Sequence, residues 1–266
     1  MSRLLTLPST GHRHSRLLRL GWVLFAATFV VQCAFPYVDG GTLGLTIASV
    51  VLLTASVLVH VAATVGPSAA AILAAVAGGG GLIAESVGVH TGVPFGDYDY
   101  TGTLGPELFG VPIVVPLAWI MMAWPALVAA RRLTGTQRPW ATVVVGACAL
   151  TAWDVFLDPQ MVDQGYWRWH HPEPSLPGVD GIPLTNFAGW FLVALVMMAV
   201  LDRLLGRPTD DALPITIYLW TYFSSVMAHA VFFGRPPVAL VGGLIMGAIA
   251  VPLLVVVLRG GDRARI

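Results

Sequence analysis

The sequence predicts an all-α, polytopic transmembrane helical bundle of about eight spans with both termini cytoplasmic, and three observations carry that prediction. Of 266 residues, 56% are hydrophobic and 11% charged, against roughly 25% charged in an ordinary soluble domain. Apolar runs long enough to cross a bilayer, about 20 residues each, recur along nearly the whole chain. The basic residues are all arginine and concentrate on alternate connections.

In chain order the spans are 17–36, 43–65, 68–88, 111–130, 140–158, 183–204, 213–233 and 237–258. The run from Leu17 to Phe35 follows Arg3, Arg13, Arg16 and Arg19, like the core of a secretory signal. It is too long for that role and lacks a small-x-small cleavage site, so a retained first helix is expected, with 1–16 as a cytoplasmic tail. Only Gly234, Arg235 and Pro236 separate the last two spans, which leaves seven as the other count. A single transmembrane domain fills residues 1–266, multi-pass in the cell membrane.

With the N-terminus in the cytoplasm, twelve of the fourteen arginines fall inside: the four above, Arg131, Arg132, Arg138, Arg203, Arg207, Arg259, Arg263 and Arg265. Only Arg168 and Arg235 fall outside, as the positive-inside rule requires of an even number of spans. Asp39, Asp97, Asp99, Glu107, Asp158, Asp163, Glu173 and Asp180 fall outside with the long connections 88–110 and 159–182, which are expected to cap a site. No basic patch suits nucleic acid; the surroundings expected are membrane lipid. Cys33 and Cys148 lie in apolar stretches and read as small buried hydrophobes rather than a disulfide or metal pair.

An ionisable residue inside a span needs a partner, a wet cavity or a function. Glu85 lies near the outer end of the third span, and Asp154 and Asp158 at the outer end of the fifth. Four residues apart, the two aspartates share one helical face. His229 lies at similar depth in the seventh span, so four polar groups are expected in one layer. The alternation Asp97, Tyr98, Asp99, Tyr100 has period two, which in an extended segment puts the carboxylates on one face and the phenols on the other. Trp153, Tyr166, Trp167, Trp169 and Trp190 surround the aspartates and Asn186 in sequence. An interfacial aromatic belt explains tryptophans at this level, but not two same-face aspartates beside Asn186 and Glu85. Gly78–Gly81 read as helix-packing glycines, and His60 as a packing histidine. His170 and His171 are adjacent and point apart, so no metal site is expected there.

At these residues the chain resembles the carotenoid biosynthesis membrane family typified by carotenoid 1,2-hydratases of the CruF type. The resemblance rests on FGDYDYT (Phe95 to Thr101), LGPELFGVPIVVPLAW (Leu104 to Trp119), AWDVFLDP (Ala152 to Pro159), GYWRW (Gly165 to Trp169) and GIPLTNFAGWF (Gly181 to Phe191). It implies a carotenoid or other polyisoprenoid lipid substrate and cofactor-independent addition of water to the terminal carbon–carbon double bond of an acyclic end, giving a tertiary alcohol. Such a reaction needs an acid strong enough to protonate carbon yet still protonated near neutral pH, a condition that a carboxyl desolvated beside another carboxyl meets. Asp154, the deeper of the pair, is the expected proton donor, and Asp158 or Glu85 the group that holds and deprotonates the water; the roles are exchangeable. Trp153, Trp190, Trp119 and Tyr100 are expected to face the cation. Asn186 would orient water or a carboxyl, and Tyr98, Asp97, Trp167 and His229 complete the expected binding set.

Two other readings compete. DVFLD (Asp154 to Asp158) fits the D-x-x-x-D pattern that holds magnesium and diphosphate in UbiA-like intramembrane prenyltransferases, although Arg168 and Arg235 alone would neutralise the anion poorly. Glu85, Asp154 and His229 could instead form the path of a proton- or ion-coupled transporter. A structural role in assembling a carotenoid complex is the third.

Overall fold

A computed structural model describes residues 10–38, 42–135 and 137–263. Arg3, Asp39 and Arg265, like the first nine residues of the expected tail, lie outside the described residues. Within them, eight helices are long and apolar enough to cross a membrane. They are α1 (Thr10–Ala34), α2 (Leu43–Thr64), α3 (Pro67–Thr91), α4 (Val114–Thr134), α5 (Pro139–Asp163), α6 (Leu184–Leu204), α7 (Ala212–Phe232) and α8 (Pro236–Arg263). The chain is a multi-pass helical membrane bundle.

α4 is the central helix. Every residue from Trp119 to Arg131 is buried, as expected of a helix that is apolar all round. It packs on α2, α5 and α7, while α5 packs on α6 and α8, and α1 lies on α2 at the rim. The exposed apolar side chains of α1, such as Val23 and Val30, are surface suited to lipid. Cys33 and Cys148 also face outward rather than into the core, because their helices turn that side to the perimeter.

The α2–α3 connection is a single sharp turn at Gly66, whose φ of 135° excludes a side chain. π-helical turns interrupt α3 at Ala74–Gly79 and end α7 at Ala228–Phe232. α5 runs through Pro159 to Asp163, past the expected span end at 158. Its end is tied down by Arg235, which bonds the Pro159 carbonyl and the Asp163 carboxylate.

At the opposite end, Arg131 donates to the Asp202 carboxylate at 2.7 Å and to the Asp202, Leu205 and Gly206 carbonyls, closing the C-terminus of α6. His60 accepts from Trp124 Nε1 at 3.2 Å through Nδ1 and donates through Nε2 to the Asp210 carbonyl, and so is the satisfied packing residue the sequence suggests.

The two long connections carry short strands: β1 (Tyr98–Tyr100), β2 (Glu107–Leu108), β3 (Val111–Pro112), β4 (Trp167–Trp169), β5 (Ser175–Leu176) and β6 (Val179–Pro183). β2–β3 and β5–β6 are local hairpins. β1 and β4 pair antiparallel across the two connections, Tyr98 opposite Trp169 and Tyr100 opposite Trp167. That ladder sits over the ends of α3, α5 and α6 and positions the site.

Candidate active site

Helical spacing supplies the first half of the site. On α3, Gly81, Glu85 and Gly88 share a face. A Cβ at Gly81 would lie 2.6 Å from the Trp119 indole, and one at Gly88 2.7 Å from the Phe95 ring and 3.0 Å from the Tyr98 hydroxyl. The missing side chains therefore let Trp119 and Tyr98 close on Glu85. Trp119 Nε1 donates to Glu85 Oε1 at 3.0 Å, while the Tyr98 and Tyr100 hydroxyls donate to Oε2 at 2.6 and 2.9 Å. Three donors and no cation surround this buried carboxyl, a cage suited to its charged form. Burial, reinforced by the neighbouring Glu85 charge, pushes both phenols far up from their ordinary range, so each stays a donor.

The second half comes from α5 and α6. Asp154 and Asp158, both buried, lie one turn apart on α5. Asn186, in the first turn of α6, bridges them: its Nδ2 donates to Asp154 Oδ2 at 2.9 Å and to Asp158 Oδ2 at 2.5 Å. Trp167 Nε1 donates to Asp158 Oδ1 at 3.1 Å. One amide nitrogen thus holds an oxygen of each carboxyl, which makes the two carboxyls close neighbours. Two carboxyls this close repel unless one of them is neutral. The Glu85 cage is built from three separate donors, whereas the aspartate pair shares one amide.

Between the halves lies a cavity. Glu85, Asp158 and Asn186 reach its wall, and Trp119, Trp190, Trp167, Trp169, Tyr98, Tyr100 and Phe95 supply aromatic surface. Trp119 and Trp190 stack with centroids 3.9 Å apart and planes 12° from parallel. Trp190 lies four residues beyond Asn186, so one face of α6 delivers both.

Several expected residues stand elsewhere. Asp154 is completely buried behind Asp158, off the cavity wall, with Oδ1 unpartnered; the expected proton donor is one turn too deep to touch a substrate. Trp153 meets Trp190 edge-on at 6.2 Å but lines a neighbouring cavity. His229 lines that neighbouring cavity too, bonding the Phe156 carbonyl at 3.1 Å, so three carboxyls converge without it. Asp97 is exposed, and Asp99 pairs with Arg168 and His170 on the outer face of β1. The period-two pattern that sends the phenols inward sends these carboxylates out.

Phe95, Trp169, Leu104 and Met161 are wall residues outside the expected set. Trp169 Nε1 donates to the Phe95 carbonyl at 3.0 Å and its ring stacks on Tyr98. The signal was legible, since Trp-Arg-Trp alternates as Tyr-Asp-Tyr does and puts both indoles on one face. Among the described residues no arginine, lysine or histidine lines the cavity, so a diphosphate would meet no countercharge from them, against the prenyltransferase reading. The transporter path loses its histidine to the second cavity. Among the described residues no group of three or more His, Cys, Asp or Glu is arranged to hold a metal ion.

No solved structure matches the chain. A 121-residue stretch is 33% identical to the bisanhydrobacterioruberin hydratase of Haloarcula japonica, over 44% of this chain and 40% of that protein. The match therefore spans less than half of the relative's length. Residues 45–259, most of the chain, match the model of the family described as carotenoid biosynthesis protein. With its helical bundle and its aromatic, carboxyl-lined cavity, the chain belongs to the carotenoid biosynthesis protein family.

Proposed function

We propose that this protein is a hydratase that adds water across the terminal double bond of an acyclic carotenoid end, giving a tertiary alcohol. The observation that carries the reading is a cavity whose wall holds Asp158, backed by Asp154 through Asn186, opposite the caged carboxyl of Glu85, with aromatic faces between them. The relative's name contributes the reaction type and the substrate class.

Asp158 reaches the cavity and so is the residue that transfers a proton to the less substituted alkene carbon. Its O–H bond breaks as the new C–H bond forms, leaving a tertiary cation and an Asp158 carboxylate backed by Asp154 and Asn186. Water then attacks the cation, a C–O bond forms, and the surplus proton of that water returns to Asp158. The catalyst is restored and only the alkene and one water are consumed, so the cycle calls for no cofactor.

Glu85 acts as fixed negative charge beside the cation. Its three donors occupy three of its roughly four lone-pair sites, which weakens it as a nucleophile toward the cation. The Trp119, Trp190, Trp167 and Trp169 faces add cation–π attraction of roughly 0.5 to 2 kcal/mol each. By the positive-inside rule the arginine-poor end carrying this site faces away from the cytoplasm, with the connections 88–110 and 159–182 as its caps.

The test is expression of the chain in cells that make an acyclic-ended carotenoid, with pigment mass as the readout. Product heavier by one water is expected. Unchanged pigment, with the protein present in the membrane, sinks the reading.

A further inference from the structure

A second cavity lies beside the first between α1, α2, α4, α5 and α7. Much of its wall is apolar, but Thr46 and Ser49 of α2 face Thr221, Ser224, Ser225 and His229 of α7 across it. Among the described residues, five buried side-chain polar atoms have no hydrogen-bond partner, and three of them belong to this wall: Thr46 Oγ1, Ser49 Oγ and His229 Nδ1. Buried polar groups left unpaired are uncommon and call for a ligand or ordered water. His229 narrows the choice. Its Nε2 faces the Phe156 carbonyl and must carry the ring proton, so Nδ1 presents a lone pair that requires a donor. A polyene has no donor to offer, whereas water offers donors and acceptors together and typically makes about three bonds in such a site.

The second cavity also has the right neighbours. It shares Thr46, Val50, Met121, Leu157 and Met161 with the first, and Thr46 is the polar member of that partition. At the end of the bundle that carries β1 and β4, its wall includes the exposed residues Cys33, Tyr37 and Phe232.

We propose that the second cavity is a water-binding site that stores the water consumed by the reaction and delivers it past Thr46 to the tertiary cation. This rests on the hydratase reading. Delivery adds no chemical step: the oxygen that forms the C–O bond comes from this store, and its proton goes to the Asp158 carboxylate.

The test separates protonation from capture. A cation that meets no water loses a proton and returns to alkene, so in D2O the recovered polyene carries deuterium instead of hydroxyl. The full chain in lipid nanodiscs is given lycopene or bisanhydrobacterioruberin in D2O, and the ratio of hydrated product to deuterium in recovered substrate is measured by mass. The near-isosteric pair Thr46→Val with Ser49→Ala is expected to lower that ratio roughly tenfold or more, the scale of a lost hydrogen bond, while total protonation persists. An unchanged ratio overturns the proposal. Absence of both hydration and exchange in the wild type removes the hydratase reading and this inference with it. Radiolytic hydroxyl labelling of the wild type gives a readout independent of the variant's folding. Met122, which lines the second cavity, and Met198 are both fully buried; Met122 is expected to oxidise several-fold faster, and equal rates overturn the proposal.

Discussion

The indole N–H of Trp119 points at Glu85 Oε1 from 3.0 Å while the same ring lies flat against Trp190. One side chain thus fixes a carboxylate and presents a π face to the cavity. Trp119→Phe keeps most of the ring and deletes the donor. Hydration is expected to slow about 10- to 100-fold, the equivalent of a hydrogen bond to a charged group at roughly 1.5 to 3 kcal/mol. Initial rates of alcohol formation in membranes check it.

Position on α5 sets an order between the two aspartates. Asp158 reaches the cavity and Asp154 stands behind it. Asp158→Asn is expected to lose about 10²- to 10⁴-fold in rate, the range for a general acid. Asp154→Asn keeps the acid and alters only its backing, so a loss of roughly tenfold is expected, the scale of one hydrogen bond. Equal losses would put the proton donor back in doubt.

Gly81 carries a packing prediction. The methyl of Gly81→Ala would arrive 2.6 Å from the Trp119 ring, which has Trp190 stacked against it. Overpacking of this kind costs about 1 to 3 kcal/mol. A lowered melting temperature in detergent together with a reduced hydration rate is expected. By contrast Gly79, on another face, has open space around an added Cβ, and Gly79→Ala is expected to leave both nearly unchanged.

The outward face of β1 gives the complementary prediction. Asp97 is exposed and off the cavity wall, so Asp97→Asn is expected to leave turnover within about twofold, as for an ordinary surface substitution. Tyr98→Phe, its neighbour on the inward face, removes a 2.6 Å bond to Glu85 and is expected to cost at least tenfold. The same rate assay compares them.

Legibility in the sequence tracks the range of the physics involved. Span positions are local consequences of apolar length, and all eight appear. The shared face of Asp154 and Asp158 comes from the 3.6-residue turn, and the common aim of Tyr98 and Tyr100 from the two-residue pleat. Rotation of one helix relative to its neighbours is not local. His229 lies in the π-helical turn at Ala228–Phe232, where an extra residue per turn re-aims the side chains, so depth alone assigned it to the wrong cavity. The pairing of β1 with β4 was equally hidden, because contacts between segments about seventy residues apart have no signature in either segment.

That pairing sets a schedule. Glu85 receives its phenols from the first connection and Asp158 its indole from the second, and three rungs from Tyr98↔Trp169 to Tyr100↔Trp167 stitch the two together. Helices can enter the bilayer one after another, but the cavity between them is closed over only when the last stitch forms. On the proposed reading, a bundle that has not closed this ladder lacks the Tyr98, Tyr100 and Trp167 donors and is expected to yield no alcohol.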